Sequence, residues 1–153
     1  MEVCDGFVTF MGMKKQSAAI PFRRNAAKEL EILLVTSRRK GRWVLPKGTV
    51  RGVLPHATAA REAFEEAGAL GVISRDAIGV YYQRKRTGSG DIKEVPVQAF
   101  PLFVNTLLGK WPEMAMRKRQ WMHASLAAEA VNDDEIRTVL EKFVDEHWDV
   151  DPS

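Results

Sequence analysis

Three carboxylates crowd one short stretch of this chain, Arg61-Glu62-Ala63-Phe64-Glu65-Glu66-Ala67-Gly68. In a helix each residue turns about 100°, so Glu62, Glu65 and Glu66 are expected on one narrow face. Ala60, Ala63, Phe64 and Ala67 then fall on the opposite side. Like charges at i,i+4 cost roughly 0.2–0.5 kcal/mol per pair, so a sequence that gathers them beside a buried face calls for a compensating cation. A hard divalent ion such as Mg²⁺ or Mn²⁺ favours carboxylate oxygens. A solvated outer helix face carries the same pattern, and the turn by itself leaves both uses open.

The preceding residues change the weighting. Trp43-Val44-Leu45-Pro46-Lys47-Gly48 reads as a short strand running into a Pro/Gly loop, and about a dozen residues lead from there into Arg61-Glu62. This strand–loop–helix order resembles the Nudix box of the Nudix hydrolase superfamily, matched by Gly48 and by Arg61 through Ala69. Every charged residue and the glycine of the motif's second half stand in register, with small Ala63 and Ala69 at its apolar positions. The first half departs from the pattern: Leu54 stands where the family usually has glutamate, and the spacing from Gly48 to Arg61 is one residue short.

The resemblance implies an α/β fold, the Nudix α/β/α sandwich with a mixed β-sheet between helices, spanning about residues 7–148. It implies hydrolysis of a diphosphate linked to another group, with water attacking phosphorus. Such a reaction needs its spread negative charge neutralised and a water positioned. By the same resemblance Glu62 and Glu66 are the main ligands of Mg²⁺ or Mn²⁺, with a backbone carbonyl in the loop, that of Lys47, as a further contact. Glu65 is the expected catalytic base, and Arg61, one turn earlier, the residue that holds its carboxylate. Metal-bound water is more acidic, which makes a carboxylate an adequate base.

Basic residues clump in three places: Arg38, Arg39, Lys40 and Arg42; Arg84, Lys85 and Arg86; and Arg117, Lys118 and Arg119. Folded onto one side they would form a pocket for a polyanion. Thr36-Ser37-Arg38-Arg39 before Arg42-Trp43, the Glu65-Glu66-Ala67-Gly68 ending and Arg117-Lys118-Arg119-Gln120-Trp121 are similar to the diphosphoinositol polyphosphate and diadenosine polyphosphate hydrolase branch. That likeness implies that Ser37, Arg38, Arg39, Gly48, Arg84, Arg86, Arg117 and Arg119 contact a phosphorylated small-molecule substrate. Arginine suits this role because its guanidinium fork grips phosphate oxygens two at a time. His56, His123 and His147 show no metal-ligand spacing and are expected at the surface or in caps. Trp43 and Trp121 are expected to pack beside the site, and Glu113 or Glu94 could add a metal ligand.

The elements that must position these groups are legible in outline. At 153 residues the chain suits a single domain, 1–153, able to bury about two thirds of its unfolded surface. Phe7–Phe10, Ala18–Phe22 and Glu31–Thr36 read as strands, and Ile78–Tyr82 and Glu94–Val104 as a hairpin about a turn at Thr87–Asp91. One helix should begin near Pro55 or His56 and end at Gly68. A second, from about Asp133 to His147, carries Ile136, Val139, Leu140 and Phe143 at helical spacing behind an Asn132 or Asp133 cap.

A net charge of +3, the lone Cys4 and the absence of any apolar run near ~20 residues point to a reducing, cytoplasmic setting without a membrane. The expected assembly is a monomer or a homodimer. Two other functions share these residues: a nucleotide-sanitising or RNA 5′-pyrophosphate hydrolase, and a non-catalytic Nudix domain that senses a ligand. Retention of all three glutamates argues against the sensor. General nucleic-acid binding lacks the aromatic interleaving it would need.

Overall fold

Strands that are apolar on both faces demand a layer on each side, and the central strands here are of that kind. The computed structural model describes residues 15–52 and 54–146. Its elements are β1 (Gln16–Arg24), β2 (Leu30–Thr36), β3 (Trp43–Val44), β4 (Lys47–Thr49), α1 (Pro55–Ala67), β5 (Ala69–Ile73), β6 (Gly79–Arg86), β7 (Ile92–Leu107), β8 (Arg119–His123), α2 (Ala124–Ala130) and α3 (Asp134–Asp145). All eight strands join one sheet, with a spine of β3-β2-β1-β7-β5, β4 on β1, β6 on β7 and β8 on β2. Strands β1 and β7 run parallel and the other pairs antiparallel, so the sheet is mixed.

Side chains alternate across a strand with period two, and the two cores follow that rule. Ala18, Ile20 and Phe22 of β1, with Ile32 and Leu34 of β2, face α2 and α3. Ala19, Leu33 and Val35 face α1, which meets them with Ala59, Ala63 and Ala67. The result is the expected α/β/α sandwich. Among the described residues no helix is long and apolar enough to cross a membrane.

Helix α1 starts on Pro55 without a side-chain cap from Leu54 and ends at Gly68, whose left-handed φ of 66° suits glycine. The α3 helix is capped by Asp133, whose carboxylate accepts from the amides of Glu135 at 2.9 Å and Ile136 at 3.1 Å. Its apolar stripe is buried as the spacing predicts.

The structure differs from the sequence reading in four places. Lys47-Gly48 is not loop but the short strand β4, recruited by an open edge of β1. Among the described residues three helices stand where two were expected, because alanine-rich α2 carries no wide apolar stripe. Strands β5 and β8 were not foreseen: β5 is mostly exposed, and β8 opens inside a run of charges. Finally, Glu66 is not on the outer face but buried at 4% exposure, because the thin layer of alanines seats the helix close to the sheet. Cys4, Phe7–Phe10 and His147 lie outside the described residues.

Candidate active site

The site forms where α1 crosses over the ends of β4 and β2. Residue 48 must be small here. A Cβ on Gly48 would stand 2.6 Å from Glu62 Oε2 and 2.8 Å from its Cγ, so a side chain here would have to displace this carboxylate. Beside it, hydrogen bonds from Ala19 N to Pro46 O and from Val50 N to Lys15 O set the alternation of the β1–β4 ladder. The Ala18–Lys47 pair is therefore a non-hydrogen-bonded one, and the Lys47 carbonyl turns away from β1, towards the open side of β4.

Glu62 and Glu66, one helical turn apart on α1, bring their carboxyl groups together. Burial pushes both above the usual carboxylate range. For Glu66 the rise reaches about 8, opposed by Arg117 and reinforced by Glu62. Glu65 points elsewhere: its Oε2 lies 3.6 Å from Arg61 Nε, at the half-exposed rim. Among the described residues no three His, Cys, Asp or Glu side chains are grouped as a metal site. The donor set is thus two facing carboxylates and the outward Lys47 carbonyl. All are hard oxygens, and two carboxyl groups brought together by the fold call for a cation between them. These residues fit Mg²⁺ or Mn²⁺.

Arg117, 10% exposed at its side chain, ties the pair to the neighbouring loop. Its Nη2 lies 3.7 Å from Glu66 Oε2 and its Nε 2.6 Å from Glu113 Oε1, while Nη1 donates to Thr36 O at 3.0 Å. Glu113 is thereby engaged by an arginine. The Lys47 ammonium donates to Gln16 Oε1 at 3.2 Å. Burial, with Lys85 next, lowers its pKa to about 8 against the pull of Glu66.

Above Glu66 opens a cleft of about 600 Å³. It gathers Ser37, Arg38, Arg39, Lys47, Arg84, Arg86 and Arg117, residues spread over 80 positions of sequence. The loop carrying Arg38 and Arg39 is closed on itself, with Ser37 N donating to Arg42 O at 2.7 Å and Arg42 N to Ser37 Oγ at 3.0 Å. Arg119 stands outside the cleft, its Nη1 bonded to Ala67 O at 2.7 Å and its guanidinium stacked on Trp111. Gly48, Arg61, Glu62 and Glu65 are also absent from the cleft lining. Of the other residues weighed in the sequence, Trp43 and Trp121 pack against the two cores. His123 caps α2, its Nδ1 accepting from Ser125 N.

The opposite wall was not legible in the sequence. It contains Tyr81, Gln83, Asn132 and Asp133. The Tyr81 hydroxyl and Gln83 Oε1 are buried without a hydrogen-bond partner among the described residues, and Asn132 holds a positive φ of 46°. Burial, then Asp133 and Glu66, pushes the Tyr81 hydroxyl far above the usual range for tyrosine. Only the Asn132-Asp133 cap gave a hint of this wall in the sequence.

Comparison with known proteins agrees with this architecture. The profile of the NUDIX domain matches residues 13–143. Nudix hydrolase 21, chloroplastic, of Arabidopsis thaliana is 32% identical over 87% of this chain and 67% of its own length. Diphosphoinositol polyphosphate phosphohydrolase 3-alpha of Homo sapiens is 36% identical over 72% of this chain and 64% of its own. The chain thus spans about two thirds of the length of these relatives. Among solved structures, a C. elegans Ap4A hydrolase binary complex superposes with a TM-score of 0.66 at 23% identity, covering 88% of this chain and 97% of that one. The NUDIX domain of Shewanella oneidensis NrtR, complexed with ADP ribose, gives 0.67 at 15% identity over 91% of each chain; both likenesses concern the fold. With the profile covering nearly the whole of the described chain, this protein belongs to the Nudix hydrolase family, whose members act on phosphorus-containing anhydrides.

Proposed function

We propose that this chain is a Mg²⁺- or Mn²⁺-dependent pyrophosphohydrolase that cleaves a diphosphate linkage in a strongly anionic small molecule, a dinucleoside polyphosphate or an inositol pyrophosphate. One observation carries the reading: the buried Glu66 carboxylate, one helical turn from Glu62, lines the same cleft as Arg38, Arg39, Arg84, Arg86 and Arg117. Those cations exceed what a single monophosphate needs. The names of the human phosphohydrolase and the C. elegans hydrolase support the substrate class. The lone cysteine fits a cytoplasmic setting.

Glu62, Glu66 and the Lys47 carbonyl would hold the ion. When bound it supplies Lewis-acid neutralisation of the phosphate oxygens. The arginines orient the polyphosphate and take up its charge. Glu65, steadied by Arg61, accepts a proton from the attacking water. A new P–O bond forms from that water as the P–O bond to the leaving phosphate breaks, giving two phosphate-terminated products.

The direct test is a panel of diadenosine polyphosphates, diphosphoinositol polyphosphates, nucleoside triphosphates and 5′-triphosphorylated RNA, assayed with Mg²⁺ and Mn²⁺. Hydrolysis of one of the first two classes, abolished by chelation and reduced at least a hundredfold in kcat by Glu65→Gln with substrate binding retained, is the expected result. Turnover of RNA ends or triphosphates alone would replace the substrate assignment. Inactivity across the panel would leave a ligand-sensing domain.

A further inference from the structure

A helix ends with four carbonyls that its own turns cannot satisfy; in α1 these belong to Glu65, Glu66, Ala67 and Gly68, after Gly68 N has closed on Phe64 O. One segment, Leu108–Arg119, meets all four. Glu113 N donates to Glu65 O at 3.0 Å, Trp111 Nε1 to Glu66 O at 2.9 Å, Arg119 Nη1 to Ala67 O at 2.7 Å and Leu108 N to Gly68 O at 2.8 Å. The two side-chain donors brace each other, the Arg119 guanidinium lying 3.7 Å from the Trp111 ring centroid. Gly68 makes room for both: a Cβ there would stand 2.9 Å from Trp111 Cβ and 2.9 Å from Arg119 Nη1.

We propose that Trp111 and Arg119 are positioning residues of the hydrolytic site, acting through the carbonyls of Glu66 and Ala67 to hold the last turn of α1 and so to aim the Glu65 and Glu66 carboxylates. Neither side chain lines the cleft, so neither meets substrate there. Helix ends fray when their terminal groups find no partner, and a frayed last turn would swing both carboxylates. Arg119 adds its positive charge at the negative end of the helix dipole. The link to chemistry rests on the function proposed above; the clamp itself is a property of the metal-free chain.

Trp111→Phe keeps an aromatic ring near Arg119 but removes the Nε1–H donor together with part of the indole surface. In the metal-free full chain it should speed exchange of the Ala67 and Gly68 amide hydrogens roughly two- to tenfold, with Leu140 and Phe143 of α3 unaffected. Mn²⁺ titration should show weakened affinity by a similar factor, and kcat should fall while KM for substrate holds. Arg119→Lys, which keeps the charge but shortens the reach, should shift the same amides and provides the answer if Trp111→Phe fails to fold. Unchanged exchange in the last turn, or equal acceleration in α3, would overturn the proposal. So would faster exchange with Mn²⁺ affinity and kcat unaltered. A wild-type chain that hydrolyses no phosphorus anhydride bears on the proposed function alone, since the contrast between α1 and α3 is read without turnover.

Discussion

Gly48 passes the Glu62 carboxylate so closely that a single methyl group has no place between them, with Oε2 only 2.6 Å from where a Cβ would be. The glycine is needed for space rather than for an unusual backbone, since its φ is not among the positive ones. Gly48→Ala must therefore displace either the strand or the carboxylate. Misplacing a reacting group by about 1 Å can cost roughly a hundredfold in rate, whereas overpacking costs typically 1–3 kcal/mol in stability. We expect Gly48→Ala to fold and to lose about two orders of magnitude in kcat, with a raised Mg²⁺ requirement. Near-wild-type activity would show that Glu62 has freedom to move and does not ligate.

The burial of Glu66 beside Glu62 makes stability depend on pH in one direction. Folding without metal raises both groups by burial, Glu66 from 4.5 to about 8. Between those values the folded chain binds more protons than the unfolded one, so stability must fall as pH rises. The stability is fully present below about pH 4.5 and lost through about pH 8. A slope of about 1 kcal/mol per pH unit is the order expected for one such group. Chelated protein should melt at lower temperature at pH 8 than at pH 5.5, with the largest gain from added Mg²⁺ at pH 8. Glu66→Gln should flatten that slope and raise the metal-free melting temperature at pH 8 while abolishing hydrolysis. A chelated wild-type protein that melts higher at pH 8 would contradict the upward shift of Glu66.

What the sequence revealed and what it hid follow from the range of the forces involved. The order Gly48, Arg61, Glu62, Glu65, Glu66, Gly68 is local, and helical geometry alone brings Glu62 and Glu66 together. The Arg61–Glu65 pair and the Gly68 terminus are read from the same turn. The buried face of α1 is legible only in part: Ala63 and Ala67 are buried as expected, but Thr58, Ala59 and Glu66 join them while Ala60 and Phe64 are half-buried, a choice that only the sheet makes. Arg117 and Arg119 look alike in sequence, but Arg117 precedes β8 and Arg119 is its first residue. One reaches the cleft and the other runs under the helix end. Tyr81 and Gln83 could not be singled out either, since a buried polar atom without a partner is a property of the packed fold.

Arg117 tests how far the carboxylates depend on their protein cation. Its guanidinium joins Glu66, Glu113 and the Thr36 carbonyl in a nearly dry setting. Removing one partner of a buried ion pair typically costs about 3–5 kcal/mol, because the remaining charge is left uncompensated. Arg117→Met should lower metal-free stability by about 3 kcal/mol at pH 8, and by less at pH 5.5, where Glu66 keeps its proton. Saturating Mg²⁺ should recover part of the loss by supplying a cation to Glu66. Equal losses with and without Mg²⁺ would mean that Arg117 serves Thr36 and Glu113 rather than the carboxylate pair.

Arg84 and Arg86 stand in contrast, two residues apart on the exposed end of β6 and so on one side of the strand. Both line the cleft. Among the described residues Arg84 has a 3.8 Å contact to Glu94, and Arg86 donates its Nη1 to Gly90 O at 3.2 Å. Such solvated arginines leave little stability to lose, but they add to the positive field that draws in a polyanion. A charge that holds substrate and transition state alike changes KM and leaves kcat alone. The double variant Arg84→Ser/Arg86→Ser should raise KM for a diadenosine or diphosphoinositol polyphosphate by about tenfold or more, with kcat within about twofold. Its KM should also respond less to salt than that of the wild type, since two screened attractions are gone. A fall in kcat at unchanged KM would instead place these arginines on the phosphoryl group that is transferred.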